Sequence, residues 1–274
     1  MEITALIFLI AFIVWLSVNW KKKIDISREP ISPEYRIILQ KKVSFYENLN
    51  NADKQLFETR LQRFIAMVKI TGINTIVEPL DIVLVAASAI IPIFSFQNWE
   101  YNNLNEVLLY PDAFNEAFNI KGDEEKPVLG MVGNGAMQHV MILSKPALRE
   151  GFNNKTDKNN TGIHEFVHLI DKTDGEIDGV PEYLLNKQYL LPWINMMHKN
   201  IKEILADNSD INPYGATNKA EFFAVVSEYF FERPDLLKIK HPELYGLLEQ
   251  VFKNDNPKQR KNSRVRTFIF LPIS

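Results

Sequence analysis

At 274 residues, with 46% hydrophobic and 24% charged content, the chain is long enough to bury a substantial core. It has no cysteine, which excludes disulfides and Cys-ligated metal fingers and leaves histidine and carboxylate as the metal ligands on offer. A net charge of −3 gives no overall attraction to nucleic acid, and no nucleic-acid partner is expected.

The first element departs from ordinary composition. Ile3 to Trp20 is an 18-residue run broken only by Thr4, Ser17 and Asn19, and Lys21-Lys22-Lys23 follow at once. At about 1.5 Å per residue such a run just crosses a bilayer core of roughly 30 Å. A secretory signal carries its positive charge before the apolar run, whereas here Glu2 precedes and lysines follow. The reading is an uncleaved transmembrane helix at 1–20 in contact with membrane lipid. With the lysines inside, it predicts a single-pass protein of the cell membrane whose catalytic domain faces the cytoplasm.

Residues 21–33, with Pro30 and Pro33, read as a linker. Two amphipathic helices are expected over 34–48 and 53–69, joined near Asn50-Asn51; in the second, Phe57, Leu61, Phe64 and Val68 share a face. Thr71 to Asn74 reads as a turn. Asp81 to Phe96 is nearly all apolar, but Pro92 interrupts it and it is short for a second membrane span, so a buried central helix ending near Pro92 is expected.

From Trp99 to Leu143 the pattern is one of short extended runs. Val107 to Tyr110 stops at Pro111, and Val128 to Val132 is joined to His139 to Leu143 through Gly133-Asn134-Gly135. This predicts a small sheet with one antiparallel pair. A short helix near Pro146, a polar loop over 153–161 and the helix around His164 follow, then helices over 184–206, 218–231 and 241–252. Helices, a small sheet and more helices make a mostly helical α+β domain, placed at 34–254. The tail, 255–274, has five basic residues in nine over 258–266; it reads as solvated, with anionic lipid as the alternative contact.

The chemistry centres on His164-Glu165-Phe166-Val167-His168. Residues four apart lie one above the other on a helix, so His164 and His168 can offer two imidazoles to one metal ion with Glu165 beside them. Catalytic zinc takes three protein ligands and keeps a position for water, which calls for a third ligand elsewhere. His198 and His241 have weak contexts, a helix surface and a helix start. Glu221 and Glu228 are seven apart among apolar residues, and a buried carboxylate is costly unless a cation meets it. One of the two is expected to bind metal. Glu221, one turn into its helix, is the better placed, which leaves Glu228 as an outer contact or an ordinary ion pair. Asp171, three residues after His168, can accept the non-ligating N–H of an imidazole or can begin the Asp174-Gly175 turn.

These residues also carry a resemblance. His164-Glu165-Phe166-Val167-His168 with Asp171, then Gly179-Val180-Pro181, Tyr214-Gly215-Ala216 and the string Glu221 to Phe231, are similar to the Mlc titration factor A family of zinc peptidases, from about Phe45 to Phe252. The resemblance implies a gluzincin-like, zincin-type domain with a catalytic core like that of anthrax lethal factor. It implies zinc on His164, His168 and Glu221, with Glu165 as base and Tyr214 as a transition-state donor. Peptide-bond hydrolysis of a peptide or protein substrate would follow, with Glu165 taking a proton from the attacking water and handing it to the leaving amine. Because the family's founding member binds the repressor Mlc, the alternative is a non-catalytic or dual-role protein that sequesters a regulatory protein at the membrane.

Overall fold

The computed structural model describes residues 30–96, 99–114, 128–133, 135–154 and 157–253. Its first helices are α1 (Pro33–Lys42), α2 (Ser44–Glu47) and α3 (Asn51–Met67). The single helix expected over 34–48 is broken at Val43, which sits in the extended region at φ −109° and ψ 93°. The break lets Leu39, Val43 and Tyr46 all be buried, and the Tyr46 hydroxyl donates to Glu58 of α3 at 2.6 Å. Asn50 caps α3, its Oδ1 accepting from Asp53 N at 3.0 Å.

Helix α4 (Pro79–Ile93) is the buried central helix, with Pro92 one residue from its end. Its polar start is satisfied locally. Asp81 is fully buried, its Oδ2 accepts from the Glu78 N–H at 2.9 Å, and Arg149 Nε and Lys145 Nζ approach at 2.7 and 3.2 Å. Such pairing offsets the cost of burying the carboxylate.

The membrane placement is overturned: among the described residues no helix is long and apolar enough to cross a membrane. The longest, α7 at 19 residues, carries Lys187, Lys199, Lys202 and Glu203, and the apolar α4 has only 15 residues, about 22 Å at 1.5 Å per residue. The apolar run at 1–20, the lysines after it and the tail at 255–274 lie outside the described residues.

The sheet consists of β1 (Lys69–Gly72), β2 (Glu106–Tyr110), β3 (Gly130–Val132) and β4 (Val140–Ser144), in the order β1-β2-β4-β3. The expected antiparallel pair is β3 with β4, Met131 opposite Ile142; the other two pairings are parallel. Thr71 lies within β1 rather than in a turn, and the chain reverses after it, through Asn74 at φ 54°. Strand β3 is an edge of this sheet, a position that bears on the site.

After the sheet come α5 (Lys145–Asn153), α6 (Thr161–Asp171), α7 (Lys187–Leu205), α8 (Lys219–Glu232), α9 (Pro234–Lys240) and α10 (Pro242–Phe252), which completes an α+β architecture. Helix α6 packs against α4, α5, α8 and the β3–β4 hairpin at once, and every residue from Gly162 to Asp171 is buried. The approach to α4 is tight at Gly162, where a Cβ would fall 2.1 Å from Ser88 Oγ. The helix bearing the two histidines is thus fixed by the core itself.

A polar node ties the later elements together. Asp210 Oδ1 accepts from His241 Nε2 at 2.7 Å, and its Oδ2 lies 2.9 Å from Tyr229 Oη, 3.1 Å from Lys240 Nζ and 3.2 Å from Lys158 Nζ. Partial burial opposes its charge, but these donors hold the carboxyl well below the usual range. Asp210→Ala is expected to destabilise the fold by about 2 kcal/mol, lowering the melting temperature by roughly 4–8 °C, because several donors lose one acceptor. Thermal unfolding monitored by circular dichroism checks this.

Candidate metal centre

The site is built from the start of α6 inward. Asn160 caps the helix, its Oδ1 accepting from Ile163 N at 3.1 Å, and its carbonyl accepts from His164 N at 2.9 Å. One turn further, His164 and His168 project to the same side with Glu165 buried beside them. Helix α8 crosses here and brings two carboxylates to His164. Glu221 Oε2 is 2.9 Å from His164 Nε2, and Glu228 Oε1 is 2.7 Å from His164 Nδ1.

Three atoms converge on one point. His164 Nε2, His168 Nε2 and Glu221 Oε2 form a triangle with edges of 3.1, 2.9 and 3.5 Å. Ligand atoms at about 2.0–2.1 Å from a tetrahedral zinc ion stand roughly 3.3 Å apart, so the triangle has the dimensions that such an ion requires. The donor set of two imidazoles and one carboxylate, with no thiolate, also suits it. Glu228 occupies the far side of the His164 ring and turns Nε2 toward the cluster.

The electrostatics agree with a site made for a cation. Burial opposes charge on His164, yet Glu228 and Glu221 override it and raise its pKa well above the ordinary histidine value. Burial likewise opposes charge on Glu221, but hydrogen bonds from His164 and His168 hold it down at about 2. Burial raises the pKa of Glu165, against the pull of both histidines. The proton that these carboxylates favour on His164 stands where a metal's charge would.

The cluster floors a cleft of about 530 Å³. Gly130, Met131 and Val132 of the edge strand line it, as do Tyr214, Asn218 and Lys219. Tyr214 stands on a short 3₁₀ turn, Pro213–Ala216, begun by Asn212, whose Oδ1 accepts from Tyr214 N at 3.0 Å. Its ring is 6.0 Å from that of His164 and half exposed to the cleft. Desolvation, then the carboxylates of Glu221 and Glu165, raise the phenol pKa, so at neutral pH it keeps its proton as a donor.

The other candidates fall elsewhere. His198 is exposed on α7 and His241 serves the Asp210 node. Asp171 Oδ2 accepts from Gly179 N at 2.8 Å, and Gly179 O accepts from Trp193 Nε1 at 2.8 Å, which anchors the loop between α6 and α7. Neither imidazole is held by Asp171 in the described contacts, and His168 Nδ1 is buried without a hydrogen-bond partner.

Sequence reasoning passed over Asn160. Besides capping α6, its backbone N–H donates to Glu228 Oε2, and its Nδ2 donates to Glu232 Oε1 at 2.8 Å and Gly151 O at 3.1 Å. An Asn ahead of Thr161-Gly162 is a cap signal, but its grip on α8 is tertiary. Glu228→Gln is expected to weaken metal binding about 10–100-fold, because His164 loses the charged acceptor that orients it. Competition with a chromophoric zinc chelator measures this.

Residues 17–253 match the family model described as glucose-regulated metallo-peptidase M90. An uncharacterized protein of Synechocystis sp. is 30% identical over 264 residues, covering 91% of this chain and 94% of its own length. Mlc titration factor A of Pectobacterium atrosepticum is 29% identical over 179 residues, 60% of this chain and 65% of that one. Mlc titration factor A of Escherichia coli is 31% identical over 175 residues, 58% and 62% of the two chains. The aligned region therefore spans less than two thirds of each of these two titration factors.

Proposed function

The chain belongs to the glucose-regulated metallo-peptidase M90 family, and on that premise we propose that it is a zinc-dependent peptidase of the gluzincin type. The observation that carries the reading is the triangle of His164, His168 and Glu221 with the Glu165 carboxylate buried beside it. Zinc held there would supply a Lewis acid that makes water acidic enough to be deprotonated near neutral pH.

The chain's own residues perform the remaining tasks. Glu165 accepts the proton of the attacking water at a carboxylate oxygen and returns it to the leaving amine. Its burial keeps it poorly solvated and raises its basicity relative to an exposed carboxylate. Tyr214 Oη donates a hydrogen bond to the carbonyl oxygen as negative charge develops, a contribution of about 3 kcal/mol in comparable sites. Glu228 holds the His164 ring, and an extended peptide can align along the edge strand β3, which lines the cleft. Zinc analysis combined with peptide hydrolysis tests the reading. Stoichiometric zinc and cleavage that chelation removes support it, and cleavage indifferent to chelation sinks it.

A second reading is favoured by the relatives' name. Mlc titration factor A implies, for those proteins, titration of Mlc. For this chain the corresponding proposal is a regulatory protein as a second ligand, captured independently of chemistry. Capture that survives Glu165→Gln supports it, and capture lost with the fold intact counts against it.

A further inference from the structure

We propose that Gly130 is a positioning residue for the base, its missing side chain being what lets the Glu165 carboxylate lie against the edge strand; this role rests on Glu165 being the base of the reaction proposed above. An ideal Cβ at Gly130 would stand 2.5 Å from Glu165 Cγ, 2.6 Å from Oε1 and 2.7 Å from Cδ. Non-bonded carbon atoms settle at about 3.5–4.0 Å, so a methyl group and this carboxylate cannot share the space. All three of the nearest atoms belong to the same side chain.

The backbone gives no other reason for glycine. Gly130 is not among the positive-φ glycines, so an L-residue can take up its conformation. It sits within β3, paired with Leu143 of β4, where glycine weakens a strand. A residue that the strand disfavours and the backbone does not require is explained by the Glu165 side chain lying against it. Glu165 is itself 5% exposed on a helix packed on several sides, and retreat from an added Cβ would carry the carboxylate off its line toward the cleft. Helix α6 sets where the base starts, and the bare Cα of Gly130 sets where its carboxylate ends.

The test is a double-substitution cycle read by thermal unfolding and by kinetics. Gly130→Ala is expected to lower the melting temperature of the otherwise unchanged chain by several degrees, and to be neutral or stabilising once Glu165→Ala has emptied the space. In metal-loaded protein Gly130→Ala should reduce kcat by about 10–100-fold, the size of loss that follows a displacement of about 1 Å, with KM within about threefold and zinc stoichiometry unchanged. Glu165→Asp, one methylene shorter, lowers kcat alone but should cost less in the Gly130→Ala background. Equal melting losses in both Glu165 backgrounds, or an unchanged kcat, overturn the proposal. Were the parent chain without measurable hydrolysis, the peptidase reading would fail by itself, while the thermal cycle would still decide whether Glu165 fills the space at Gly130.

Discussion

Glu165→Gln is expected to lower peptide hydrolysis by roughly 10²–10⁴-fold while zinc remains bound at the parent stoichiometry. Glutamine matches glutamate in volume, so the buried pocket against Gly130 stays filled and the fold is undisturbed. What is lost is the basic oxygen. The converging atoms of His164, His168 and Glu221 do not include Glu165, so metal content and rate separate in this variant. Zinc stoichiometry by mass spectrometry beside initial rates of peptide cleavage checks it. A variant that keeps its rate removes Glu165 from the chemistry, and one that loses its zinc makes Glu165 a structural part of the site.

The second large effect is expected at Glu221. Glu221→Gln replaces the anionic corner of the triangle with a neutral amide, and its cost in zinc affinity should exceed the roughly 10–100-fold assigned to an outer contact, on the order of a thousandfold. The same site predicts a pH dependence. In the metal-free protein His164 is held protonated between Glu228 and Glu221, and zinc must displace that proton to reach Nε2. Affinity should therefore rise by up to about tenfold per pH unit until the raised pKa of His164 is passed.

Stability has the matching sign. The contribution of the raised His164 is complete below its unfolded pKa near 6.5 and is lost as pH rises through its folded value. That of Glu221, depressed to about 2, is present above roughly pH 4.3 and is lost as pH falls through about 2. The stabilisation given by saturating zinc should accordingly grow from about pH 6 to 8, as melting curves with and without the metal would show. A gap that is flat or shrinks with pH contradicts the exchange of proton for metal.

Much of this site was legible in the sequence because helical spacing alone puts His164 over His168, and because Glu221 and Glu228 stand seven apart among apolar residues, where a buried carboxylate calls for a cation. The buried α4 and the β3–β4 pair were legible for similar reasons, through length, Pro92 and a glycine-rich turn. Local pattern could not supply what tertiary contact decides. The helix break at Val43 serves packing beneath α3, β1 is a four-residue strand whose parallel partner lies more than thirty residues away, and α9 is a short helix between prolines. Glu228 took the imidazole-holding place that had also been assigned to Asp171, and Asp171 instead ties down the Gly179 loop. The apolar run at 1–20, on which the membrane placement rested, lies outside the described residues, whose helices contain no such span.

The most direct test of the central claim is a titration of the purified chain with zinc, following peptide cleavage and bound metal in the same samples. The predicted result is cleavage that rises with occupancy, saturates at one zinc per chain and is absent from Glu165→Gln at equal occupancy. Cleavage that does not follow zinc occupancy, or that persists undiminished in Glu165→Gln, would contradict it.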